Sequence, residues 1–142
     1  MAGVALFFLS LLTGFLLAAG PSFIVNPRGV LAGHIEGAMN GMFLILVGLV
    51  AERVRLPATA ARLCVVALLY SAYANWFFTT LGGVVGSSDA MPIAGAGFHA
   101  GPPLEGMITA GLVSVGLAML VAVGLLLLGL RRRVGTALVA SV

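Results

Sequence analysis

The chain has 142 residues, of which 61% are hydrophobic and only 8% charged, and its mean hydropathy is +1.21. A soluble domain carries roughly 25% charged residues, so too few charges are present to cover a water-facing surface, and a soluble enzyme is excluded. The formal net charge of +3 comes from seven basic residues, all arginine. They sit at the edges of apolar runs and form no basic stripe with stacking aromatics, which argues against nucleic acid as a partner.

A helix needs about 20 apolar residues to cross the hydrocarbon of a bilayer. The length therefore predicts one domain, residues 1–142, that is all-α: a polytopic membrane protein folded as a four-transmembrane-helix bundle. The first apolar run, about residues 4–20, ends at Gly20-Pro21. No basic segment precedes it and a turn follows it, so it is taken as the first span and not as a signal peptide.

The second span is expected over about residues 31–51, the third over about 60–82 and the fourth over about 104–130. Pro57 and Thr59 suggest the start of the third helix, and Gly82-Gly83 its end. The stretch from Val84 to Pro103 is rich in Gly, Ser and Pro and long for a connection, which is typical of lids and binding elements. Arg53, Arg55 and Arg62 fall between spans two and three, and Arg131, Arg132 and Arg133 follow span four, with Arg28 alone on the other side. The positive-inside rule then places both termini in the cytoplasm, in a bacterial inner membrane. Cys64 is the only cysteine, so no internal disulfide exists, and in its apolar run it is most simply a small packing residue. No inverted repeat, zinc-like spacing, phosphate loop or dinucleotide fingerprint is present.

The informative residues are polar ones inside apolar runs. Ionisable groups in hydrocarbon cost several kcal/mol unless paired, ligated or facing a cavity, and so mark functional positions. His34, Glu36 and Asn40 open the second span. Glu36 and Asn40, four apart, share a helix face, and His34 points away from it. Gly33, Gly37 and Gly41 form a small-residue stripe that admits another helix or a flat ligand, with His34 at its edge as a nitrogen ligand. The plainer alternative is that His34 and Glu36 are interfacial residues in water. In the third span Ser71, Asn75 and Thr79 recur every four residues, and Tyr73, Phe77 and Thr80 mark a second face, with Tyr70 and Trp76 nearby. Serine and threonine satisfy themselves on their own backbone, whereas a mid-span amide needs a partner, so Asn75 carries the stronger signal. His99 and Glu105 straddle a Gly/Pro turn at the mouth of the last helix.

Asn26-Pro27-Arg28, His34-Ile35-Glu36-Gly37, Asn40-Gly41, Tyr73-Ala74-Asn75-Trp76 and Met91-Pro92-Ile93-Ala94-Gly95 together resemble the membrane-bound hydroxylaminobenzene mutases, over about Asn26 to Glu105. A more distant resemblance is to the styrene oxide isomerases, small four-helix membrane enzymes that carry haem b and assemble as trimers. Their haem-ligating His is followed six residues later by an Asn, as His34 is by Asn40, and their Trp-Ala-Asn step is similar to Tyr73-Ala74-Asn75. Where those isomerases have Asp and Tyr flanking that Asn, this chain has Ser71 and Thr79, which argues for the mutase branch.

The resemblance implies an isomerase that rearranges an aryl hydroxylamine such as hydroxylaminobenzene to an aminophenol. It also implies haem b ligated by His34, with Gly37 and Gly41 beside it, and a homotrimer. In that reading haem iron acts as a Lewis acid, Asn40 and Asn75 orient the NHOH group of a small aromatic substrate, and Tyr73 or Trp76 stacks on its ring. Glu36 or His99 moves the proton. Rival readings are styrene-oxide-type epoxide isomerisation, a haem-binding electron carrier with a second axial ligand such as His99 or a Met, and a small transporter.

Overall fold

Four helices, α1 (Ala2–Ala19), α2 (Pro27–Val50), α3 (Ala58–Val85) and α4 (Pro102–Val139), carry most of the chain in the computed structural model. It describes residues 1–139, with side chains as far as Arg131. All four are long and apolar enough to cross a membrane, and no strand occurs among the described residues. The chain is an integral membrane protein. The side chains of Arg132 and Arg133, which the orientation argument uses, lie outside the described residues.

Neighbours in sequence are neighbours in space. α1 packs on α2, α2 on α3 and α3 on α4, while α1 only touches α3, and α1 and α4 do not pack together among the described residues. α2 and α3 are therefore the inner pair, and they carry His34, Glu36, Asn40 and Asn75.

α2 begins four residues before the predicted Leu31. Asn26 caps it, its side-chain oxygen accepting from the backbone N–H groups of Arg28 (3.1 Å) and Gly29 (3.3 Å), and Pro27 occupies the first helical position. Both residues suit those positions, since proline lacks the N–H that a first turn leaves unpaired.

α3 runs through Gly82-Gly83, the pair expected to end it, and stops at Gly86, which takes the left-handed conformation at φ +77°. Tertiary packing explains the difference. The backbone of α3 at Gly83 presses directly on α2 at Gly29 and Val30, leaving no room for a Cβ there. The glycines serve close helix approach and do not break the helix, at a propensity cost of about 1 kcal/mol each.

Of the two uses expected for the α2 stripe, another helix or a flat ligand, the packing within this chain takes the first. Gly33 receives Thr80, Gly37 receives the Trp76 indole and Ser10, and Gly41 receives the backbone of α1 at Gly3 and Phe7. The stripe seats α3 and α1 of the same chain. Gly37 and Gly41 thus present no bare surface to a flat ligand, and the stripe gives no support to an interface between copies.

At the end where α2 passes into α3, through a 3-10 turn at Ala51–Arg53, the core is apolar. Cys64, Ala67, Leu68 and Ala122 are buried there against Phe43, Leu44 and Val47. Cys64 is a packing residue, as its surroundings in the sequence suggest. The opposite half holds the buried polar groups Asn26, Ser87 and Glu105, and the functional candidates gather towards it.

Candidate active site

His34 faces α1. Its Nδ1 lies 2.7 Å from the backbone carbonyl of Ser10, and the Ser10 hydroxyl donates back to the His34 carbonyl at 2.6 Å. A carbonyl only accepts, so Nδ1 carries the hydrogen and Nε2 keeps its lone pair. Nε2 has no hydrogen-bond partner among the described residues. The ring lies over Gly14, where a Cβ would come within 2.9 Å of Cε1. An imidazole oriented by a carbonyl on one nitrogen and free on the other is the form that ligates metals. His34 therefore could offer Nε2 to a metal or a metal-containing cofactor.

Glu36 lies on the other side of α2. Its Oε2 accepts from Asn75 Nδ2 at 2.7 Å, which links the two inner helices through a carboxyl side chain and an amide. Both residues line a cavity of about 470 Å³ between α2, α3 and α4, together with Thr79, Leu112, Val115 and the loop residues Ala90–Ala94. Glu36 Oε1 and Asn75 Oδ1 make no hydrogen bond among the described residues. The cavity thus offers two free acceptors in otherwise apolar walls, a setting for a flat apolar molecule with one polar end.

Asn40 stands one turn beyond Glu36 on α2. Its Nδ2 is buried with no partner. A buried amide left unsatisfied costs about 1–3 kcal/mol, and Asn40 is not among the residues that line the cavity shared by Glu36 and Asn75.

Tyr73 does not join this group. Its hydroxyl donates to the Ala2 carbonyl at 2.8 Å, tying α3 to the start of α1. Trp76 packs on Gly37 and donates to Thr13 at 3.0 Å, so it too joins helices and presents no free face for stacking on a substrate at this cavity. Ser71 returns its hydroxyl to the Ala67 carbonyl at 2.7 Å, as expected for a helical serine.

His99 also lies apart from the cavity. It is 60% exposed and its Nδ1 sits 3.2 Å from Glu105 Oε1. Asp89, His99 and Glu105 bring their ligating atoms within 4.8 Å of one another. Yet Glu105 is 2% exposed and already accepts from the Ser87 hydroxyl (2.6 Å) and the backbone N–H groups of Ser88, Asp89 and Ala100. Its lone pairs are committed, so the cluster anchors a loop and offers no metal site.

The loop between α3 and α4 forms one wall of the cavity, and residues to which the sequence assigns no role beyond the family resemblance hold it. Asn26 Nδ2 donates to the Ala94 carbonyl at 2.8 Å. Arg28 donates to the Ala96 carbonyl and lies 5.9 Å from the centre of the Phe98 ring. The Met91 side chain rests on Gly82. The Asn-Pro-Arg and Met-Pro-Ile-Ala-Gly motifs are therefore two halves of one contact. Gly14 was also missed, because nothing in the sequence links it to His34.

A family model described as styrene oxide isomerase matches residues 1–131. The hydroxylaminobenzene mutase HabB of Ectopseudomonas oleovorans is 43% identical over 130 residues, covering 91% of this chain and 77% of that protein. HabA of the same organism is 36% identical over 131 residues, covering 92% of this chain and 94% of HabA. No solved structure matches. With the match running through all four helices and the loop that closes the cavity, the chain belongs to the styrene oxide isomerase family of membrane isomerases.

Proposed function

We propose that the protein is a membrane-bound mutase that rearranges an aryl hydroxylamine such as hydroxylaminobenzene to an aminophenol. The observation that carries this reading is the Glu36–Asn75 pair, held at 2.7 Å in the wall of an otherwise apolar cavity. The likeness to HabB and HabA supplies the substrate class.

The rearrangement moves a hydroxyl from nitrogen to a ring carbon. That carbon loses a proton and the nitrogen gains one, so the reaction needs no external electrons. Leu112, Val115 and Pro92 give the ring apolar contacts in this open-sided cavity. Asn75 Oδ1 accepts from the NHOH group and fixes its direction. Glu36 Oε1 stands free to take the ring proton, with Asn75 holding the other oxygen of the same carboxylate in place. Asn40 Nδ2 is the spare donor one turn away.

His34 Nε2 would hold haem b, which would supply a Lewis acid suited to weakening an N–O bond. The Ser10 carbonyl holds the imidazole in the tautomer that such ligation needs. Within one chain His34 and Glu36 lie on different sides of α2. Assembly as a homotrimer is part of the proposal, since it offers a way to bring the two faces together. The protein lies in the bacterial inner membrane with both termini cytoplasmic, and labelling of a C-terminal cysteine from the periplasmic side would overturn that orientation.

The deciding experiment assays membranes holding the wild type against hydroxylaminobenzene and styrene oxide in parallel, without nicotinamide or oxygen. Aminophenol formation is expected. Turnover of styrene oxide alone would assign epoxide isomerisation instead, and turnover of neither would overturn the enzymatic reading.

A further inference from the structure

Glu105 is the most heavily bonded side chain in the described structure, yet it does not line the cavity. Buried at 2% exposure in the first turn of α4, it reaches both ends of the loop that closes that cavity. On the α3 side it accepts from the Ser87 hydroxyl at 2.6 Å, the Ser88 N–H at 3.0 Å and the Asp89 N–H at 3.1 Å. On the α4 side it accepts from the Ala100 N–H at 3.0 Å and meets His99 Nδ1 at 3.2 Å. Between these fastened ends, Ala90–Ala94 form the cavity wall beside Glu36 and Asn75.

We propose that Glu105 is a positioning residue for the rearrangement: by fastening both ends of the loop it sets the distance of the Ala90–Ala94 wall from Glu36 and Asn75, and so the size of the aromatic ring system the cavity accepts. A carboxylate suits this role because both oxygens only accept, and the Ser87 hydroxyl and the backbone N–H groups of Ser88, Asp89 and Ala100 all donate to it. The α4 N-terminus adds a favourable dipole. Three further contacts hold the middle of the loop, from Asn26 to Ala94, from Arg28 to Ala96 and from Met91 to Gly82. With Met91 and Ala94 still held, loosening Glu105 frees the two loop ends and the residues between the held points without releasing the loop.

This inference rests on the mutase reading, and its test separates the two. Glu105→Gln turns one oxygen into a donor that faces donors, while Ser87→Ala removes one hydrogen bond and leaves Glu105 its backbone partners. Each variant is compared with the wild type on hydroxylaminobenzene and on a naphthylhydroxylamine, with haem content measured on the same samples. Glu105→Gln is expected to raise KM for hydroxylaminobenzene about tenfold with kcat within about twofold, the pattern of lost uniform binding. It should also shift preference towards the two-ring substrate, with Ser87→Ala moving both readouts less and haem content unchanged. Loss of folding alone would lower the amount of active protein and leave KM and preference untouched.

Wild-type KM and wild-type ring preference in a folded Glu105→Gln overturn the proposal. If that variant does not fold, wild-type values in Ser87→Ala overturn it. A wild type inactive on every hydroxylamine overturns the mutase reading and this proposal with it.

Discussion

Asn75 Nδ2 donates to Glu36 Oε2 across the α2–α3 contact at 2.7 Å, and the second oxygen of Glu36 and the carbonyl oxygen of Asn75 are left free at the cavity. One hydrogen bond thus does two things. It satisfies a carboxylate that hydrocarbon would otherwise penalise, and it sets two acceptors in a fixed relation to each other. The glycines of α2 make this possible, because Gly33 and Gly37 let α3 approach closely enough for the two side chains to meet.

Replacing Asn75 by Ala should therefore lower kcat/KM for hydroxylaminobenzene by about tenfold to a hundredfold, the worth of about 1–3 kcal/mol in an orienting hydrogen bond. Haem content should not change, since Asn75 makes no contact with His34. Parallel measurement of turnover and haem absorbance in the same membranes checks both. Equal loss of haem and activity would show that the residue supports the fold and not the substrate.

Much of this arrangement was legible before the fold was known, for a physical reason. Hydrocarbon makes every polar side chain conspicuous, so Glu36, Asn40, Asn75 and His34 stood out as residues in need of partners. The identity of those partners was not legible. Tyr73 was expected at the substrate and instead holds Ala2, because an aromatic residue with a hydroxyl looks the same whether it faces a ligand or a neighbouring helix. Gly82-Gly83 looked like a helix end, since propensity cannot reveal that another backbone passes there. The loop contacts from Asn26 and Arg28 to Ala94 and Ala96 span 68 residues, and no local pattern announces a pairing at that separation.

The α2–α3 approach gives a stability prediction with an internal control. Gly83→Ala puts a methyl into the backbone of Val30, whereas Gly48→Ala meets nothing within 4 Å. The first should destabilise by about 1–3 kcal/mol through overpacking. The second should be neutral or stabilising by about 0.5–1 kcal/mol, because alanine favours helix. Thermal unfolding of the two variants in one detergent, followed by circular dichroism, compares them directly. A Gly83→Ala protein as stable as the wild type would mean that α2 and α3 do not meet at this point.

Tyr73→Phe tests the correction to the site. The change removes only the hydroxyl that holds the Ala2 carbonyl at 2.8 Å. Hydrogen bonds between membrane helices are worth about 0.6 kcal/mol on average and up to about 1.7. A small loss of thermal stability is expected, with kcat and KM for hydroxylaminobenzene close to wild type. A large fall in kcat at unchanged stability would return Tyr73 to the substrate.

The haem proposal makes a prediction that distinguishes the His34 ring from its surroundings. His34→Ala removes Nε2 and should abolish haem binding and turnover together. Ser10→Ala keeps the backbone carbonyl that accepts from Nδ1 and loses only the hydroxyl, which donates to the His34 carbonyl at 2.6 Å, so most haem should remain. Gly14→Ala is the informative case, because its methyl would lie 2.9 Å from Cε1 and 3.0 Å from Nδ1, close enough to force the ring aside. Displacing the ring stretches the bond to the Ser10 carbonyl and turns Nε2 away from its direction, and orienting contacts of this kind are worth about tenfold to a hundredfold in metal affinity. Haem occupancy should therefore fall in the order wild type, Ser10→Ala, Gly14→Ala, His34→Ala, measured by absorption per chain after extraction in a mild detergent. Full occupancy in His34→Ala would remove His34 as the ligand, and loss in His99→Ala instead would move the haem to the α3–α4 loop.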